Sequence, residues 1–200
     1  EKECIEQNVL AVTYDRFEFS DIRRVEDITV RHHLSQIIQL LLWASLASIH
    51  EKPSLGNQLT KIDRQNLVNL SNRHLRNLNE ATRETTIHSL KSIVEKIRIF
   101  WNEYFPFLQS GVALILERIF GQDIPVSDVS ASNAEADRPQ RTEVYYKHDL
   151  RLATQIVKSL GYKSSFVLID RVDELEATSH DPEAAFGLVK PLLQDLELLE

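Results

Sequence analysis

Asp170, Asp173 and Glu174 lie close together at the end of the stretch Ser164–Leu175, SSFVLIDRVDEL. Carboxylates crowded in this way repel one another unless a cation or a shared proton compensates. Mg²⁺ takes carboxylate and phosphate oxygens, so a divalent cation is one group that would supply the compensating charge. The residues ahead of the acids, Phe166–Ile169, are aromatic, aliphatic and β-branched, with Val172 close behind. A short unbroken apolar run of this kind predicts a strand buried on both faces, as in a parallel sheet. Ligands of such sheets bind beyond the carboxyl ends of the strands, which is where Asp170 falls.

Other reactive residue types are less well arranged. His32 and His33, with Arg23, Arg24 and Arg31, form the one local basic cluster, and a solvated helix start accounts for it. Adjacent histidines point about 100° apart on a helix, poor geometry for one metal. His50, His74, His88, His148 and His180 show no ligand spacing such as H-E-x-x-H, which argues against a metalloenzyme. Ser164 and Ser165 lack the flanking glycines of a nucleophile elbow. The single cysteine, Cys4, reads as a small buried hydrophobe.

Composition bounds the function classes. The chain has 200 residues, of which 42% are hydrophobic and 26% charged, as in an ordinary globular domain with a sizeable core. A net charge of −7 argues against nonspecific nucleic-acid binding. One cysteine excludes an internal disulfide and suits a reducing, cytoplasmic setting. The most lipid-like run, Ile37–Ile49, is too short to cross a bilayer and no signal peptide is visible, so no membrane partner is expected. The absence of methionine and the helical pattern still running at LLQDLELLE lead us to expect an excised piece of a larger protein.

The elements that must position the acids can be read in order. Asn8–Tyr14, NVLAVTY, predicts a strand, and Asp15-Arg16-Phe17 leaves it. Ile28–His50 predicts a long helix with Asp27 as N-cap, apolar nearly all round. A second helix begins near Thr60, is outlined by Ile62, Leu67, Leu70 and Leu75 or Leu78, and ends near Asn77-Leu78-Asn79. Two more are expected from Glu80 to about Tyr104 and from Phe107 to Phe120. Residues 122–147 are small, polar and charged, a long loop or linker. Asp149–Leu160 predicts a helix stopped by Gly161, and Asp181-Pro182-Glu183 starts another that continues through Phe186, Val189, Leu192, Leu193 and Leu196. The result is a β-α-β frame with a helical block between two parallel strands: residues 1–24 a core strand, 25–121 a helical insertion or lid, 122–147 a linker, and 148–200 a core segment.

With the strand and acids in this frame, FVLIDRVDEL resembles the Walker B segment of P-loop NTPases. The acidic pair that follows is similar to the signal-transduction ATPases of the NACHT and KAP kind, in the STAND/AAA-like (ASCE) division, whose pattern is roughly hhhhD-G-h-D-E. Asp170, Asp173 and Glu174 match it, and Arg171 stands where a small residue or an acid is usual. The resemblance implies an α/β fold, a partial P-loop NTPase parallel-sheet core with a large helical insertion, predominantly helical by residue count. It implies ATP and Mg²⁺ as cofactors, with Asp170 holding the metal between the β- and γ-phosphates and Asp173, ahead of Glu174, polarising the attacking water. It also implies nucleotide-coupled oligomerisation or control of a regulatory partner, some relatives acting in defence against phage. Arg138 and Arg141 could supply an arginine finger, though nothing singles them out.

The other half of such a site, G-x-x-x-x-G-K-[ST], is missing from the chain. Gly56, Gly111, Gly121, Gly161 and Gly187 are too far apart to form it. The expectation is therefore that a P-loop precedes Glu1 and that this chain alone binds ATP weakly and turns over none. The alternative is a helical protein-interaction module in which the acids merely solvate a strand end.

Overall fold

The computed structural model describes residues 8–15, 17, 27–75, 142–173, 178 and 181–195. The helices expected at 80–104 and 107–120 and the body of the linker lie outside these residues, as do Cys4, His88, Arg138, Arg141, Glu174 and His180. What is described is mostly helical around a small parallel sheet. The elements in chain order are β1 (Val9–Tyr14), α1 (Val30–Glu51), α2 (Pro53–Gly56), α3 (Lys61–His74), α4 (Glu143–Ser159), β2 (Ser164–Ile169) and α5 (Pro182–Leu193).

β1 and β2 run parallel, with Val9 opposite Ser164 and Tyr14 opposite Ile169. The strands expected from NVLAVTY and FVLI thus exist and pair side by side in one direction. Their burial differs from expectation. Leu10, Val12 and Tyr14 turn one face of the sheet into the core, and Val167 packs against the same cluster. Phe166 and Leu168, on the opposite face, are 53% and 48% exposed, and Ile169 at the strand end is 40% exposed. β2 is not buried on both faces. An unbroken apolar run signals two covered faces only where a second layer is present, and among the described residues helices cover one.

α1 is the centre of the core. Its residues Leu34, Ile38, Leu41, Trp43, Leu46 and Ile49 are buried around the whole circumference, as the near-continuous apolar pattern predicts. It packs on β1, α3 and α4. Thr29, not Asp27, is its N-cap. The Thr29 amide donates to His32 Nδ1 at 3.0 Å, so a histidine fills the third helical position where glutamate usually signals such a start.

α3 is capped by Thr60, whose hydroxyl accepts the Asp63 amide at 3.1 Å. It buries Leu67, Leu70 and the following Leu75, while Ile62 is 71% exposed and does not face the core. It ends at His74, short of the Asn79 expected.

α4 starts at Glu143, six residues ahead of the Asp149 start read from the sequence. Asp149, expected as the first residue, is instead an interior residue of the helix. Ala153, Ile156, Val157 and Leu160 are buried, and Gly161 stops the helix as expected, at φ +92°, a conformation that disfavours other residues. α5 has the predicted start, with the Asp181 carboxylate accepting the amides of Glu183 and Ala184 at 3.0 and 3.1 Å. Its core contacts are Leu188 and Leu192. Phe186 and Leu193 are 56% and 48% exposed.

Candidate functional site

The parallel ladder ends where Tyr14 and Ile169 face each other, and the Asp170 amide donates to the Tyr14 carbonyl at 3.1 Å. Asp170 therefore leaves the carboxyl end of β2 with its backbone held and its side chain exposed. One carboxylate oxygen accepts the amide of Arg171 at 2.9 Å. Arg171 sits at φ 57°, left-handed backbone that turns the chain sharply away from the sheet. Val172 folds back against the core, and its carbonyl accepts the Thr178 hydroxyl at 2.5 Å. Asp173 is exposed on the same turn, and no hydrogen bond or ion pair among the described residues engages it. Glu174 lies outside the described residues. Asp170 and Asp173 thus share one turn at the strand end.

A hard cation suits this donor set only as a minor share of its coordination sphere. Among the described residues no group of three His, Cys, Asp or Glu side chains could hold a metal. Mg²⁺ keeps several waters and takes one or two carboxylates together with substrate phosphates, so an exposed Asp170 with one oxygen uncommitted fits that role. No cradle for the phosphates accompanies it, since the glycine-rich loop is absent from the sequence. A cavity of about 300 Å³, lined in part by Asn8, Lys52, Gln58 and Gly161, lies at the amino end of the strands, away from the acids.

Behind the strand ends is a buried aromatic group. Tyr14 and Phe17 approach with ring centroids 4.6 Å apart, and both meet the His33 ring edge-on at 5.7 and 6.1 Å. His33 is fully buried, not part of a solvated basic cluster. The Tyr14 hydroxyl and His33 Nδ1 are 2.7 Å apart, and His33 Nε2 is 2.9 Å from the Leu188 carbonyl. A carbonyl only accepts, so Nε2 carries the proton and Nδ1 accepts from the tyrosine. Burial lowers the His33 pKa to about 4, against the Leu188 hydrogen bond, and pushes Tyr14 well above its usual value. At neutral pH both are uncharged, and both are sealed from solvent.

A second polar cluster joins α3 to α4. Asp149 is fully buried, and its two oxygens accept from Arg73 Nη1 at 2.6 Å and His74 Nε2 at 2.7 Å. Burial works to raise the Asp149 pKa, but the bonds from His74 and Arg73 outweigh it and hold the carboxyl below its usual range. The Arg73 guanidinium stacks over the Tyr145 ring at 5.0 Å, and His74 lies 5.9 Å from Tyr146. An aspartate orienting a histidine is half of an acid–base dyad, but among the described residues no nucleophile bonds to this histidine. With both partners buried, the cluster ties helices together.

His33, His74 and Asp149 are the residues sequence spacing passed over. Each had a signal: His33 is one turn before Ile37, His74 one turn after Leu70, and Asp149 one turn before Ala153, so each stands on the apolar stripe of its helix. A polar residue on such a stripe needs a buried partner. Comparison of the chain with protein-family models, curated sequences and solved structures finds no match. Among the described residues no helix is long and apolar enough to cross a membrane.

Proposed function

We propose that the chain is the Walker-B-bearing part of a P-loop ATPase of the signal-transduction kind, with Asp170 as the carboxylate ligand of Mg²⁺–ATP and Asp173 or Glu174 as the group that orients the attacking water. One observation carries this reading: Asp170 emerges, exposed, from the carboxyl end of a strand that pairs in parallel with its neighbour. The aspartate would bridge the metal through water, and the second acid, a turn further on, would accept the proton of the nucleophile. The protein would couple its nucleotide state to self-association or to a regulatory partner. A P-loop must come from sequence other than these 200 residues, so the chain by itself is expected to bind ATP weakly.

A second reading is favoured by the exposed apolar side chains Phe166, Leu168, Phe186 and Leu193, which suit a helical interaction module without catalysis. Turnover separates the two. In the protein that carries this chain together with its P-loop, Asp170→Ala should reduce ATP hydrolysis about a hundredfold or more, the several kcal/mol that a metal contributes, with the circular dichroism unchanged. Unchanged hydrolysis with partner binding lost would favour the interaction module.

A further inference from the structure

Tyr14 is bonded in two directions. Its carbonyl accepts the Asp170 amide, and its hydroxyl, turned into the core, donates to His33, which in turn donates to the Leu188 carbonyl of α5. Residues 170–181 leave the sheet at Asp170 and enter α5 at Asp181. The sheet end of that connection and the α5 residue Leu188 are therefore tied through Tyr14 and His33. Thr178 adds a cross-tie, donating to the Val172 carbonyl and accepting the Asp181 amide at 3.0 Å.

α5 needs such a fastening. Among its described residues only Leu188 and Leu192 are buried, and Pro191 denies the Gly187 carbonyl its helical partner. An element with so few buried apolar contacts belongs to the low-stability part of a fold. Position 33 lies on the stripe of α1 that Ile37 and Leu41 fill with apolar side chains. An aliphatic residue there would bury without desolvating two nitrogens, so the histidine supplies something packing alone does not.

We propose that His33 is a positioning residue that, with Tyr14, locks α5 to the carboxyl end of the sheet, so that the helix following the acids and the Asp170 carboxylate are held as one unit. The use of this lock to hold a metal-binding carboxylate rests on the nucleotide reading; the lock itself does not. A displacement of α5 reaches Asp170 through two side chains, His33 and Tyr14, and whatever binds at Asp170 stiffens α5.

Residue-resolved hydrogen exchange on the whole chain tests it, without any ligand. His33→Leu removes both bonds, and the amides of Asp170 and of α5 should exchange about tenfold faster while those of α1 and α4 keep their parent rates. His33→Gln carries its amide group at the distance of Nε2, where it can donate to Leu188, and its carbonyl oxygen lies too far along the side chain to replace Nδ1 as the acceptor for Tyr14, so it should restore protection in α5 and leave Asp170 loosened. Unchanged exchange at Asp170 and α5 in His33→Leu would overturn the proposal, as would acceleration by one common factor throughout the core. If His33→Leu does not fold, His33→Gln decides alone: loosening confined to Asp170 supports the lock, and parent rates there overturn it. The predicted exchange pattern combined with unaltered ATP hydrolysis in Asp170→Ala would leave the lock standing and remove the nucleotide reading.

Discussion

Asp149→Ala is the substitution whose effect follows most directly from the buried contacts. The carboxylate is fully buried and serves two donors, Arg73 and His74, across the α3–α4 interface. The alanine leaves His74 Nε2–H, on a side chain 2% exposed, without its acceptor, a penalty of about 1–3 kcal/mol. Arg73 is 24% exposed and can turn to water, so its loss is the smaller one, about 1 kcal/mol after solvent screening. The sum, about 2–4 kcal/mol, is a large part of the about 5–15 kcal/mol that holds a domain folded. Urea denaturation followed by circular dichroism should show the midpoint falling with the slope unchanged. Asp149→Asn keeps an acceptor, and His74 can exchange tautomers to accept from the new amide, so about half the loss should be recovered. A shift below about 0.5 kcal/mol in Asp149→Ala, the range of an ordinary surface substitution, would refute the reasoning.

Two further outcomes can be checked on the same instrument. His33 binds its proton at about pH 4 when folded and near 6.5 when unfolded, so between those values the unfolded chain holds more protons. Stability should therefore be full above about pH 6.5 and decline as pH falls toward 4, by up to about 3 kcal/mol, and His33→Gln should flatten that decline; Asp149, with its lowered pKa, adds a loss only at still lower pH. Phe166→Ser should change stability by less than about 1 kcal/mol because the ring is 53% exposed, whereas a loss of about 3–5 kcal/mol would show a ring buried on both faces of the sheet.

Local chemistry made much of the frame legible. The strands announced themselves through Val9–Tyr14 and Phe166–Ile169, α1 through its apolar circumference, and α5 through Asp181-Pro182-Glu183, since each of these signals acts within a few residues. Parallel pairing followed from two apolar strands separated by helices. Burial of β2 was misread because exposure of Phe166 and Leu168 depends on whether a second layer exists, which no property of FVLI itself encodes. The helix starts at Thr29 and Glu143 were displaced because the cap at Thr29 uses a histidine and the α4 N-cap residue, Thr142, sits in a stretch polar enough to read as linker. The candidate acids were visible as a cluster, but the residues behind them were not. His33 meets Tyr14 and Leu188, and Asp149 meets Arg73 and His74, across long intervals of chain, and only the fold reveals which buried polar side chains are paired.

In the proposed function the strand end presents Asp170 to a divalent cation, and Mn²⁺ standing in for Mg²⁺ reports on that contact. Paramagnetic broadening of amide signals during a Mn²⁺ titration of this chain should appear first at Asp170, Arg171 and Asp173, and Asp170→Ala should abolish it. Broadening spread evenly over other exposed acids such as Glu143, Asp181 and Glu183, and unaltered by Asp170→Ala, would contradict the account.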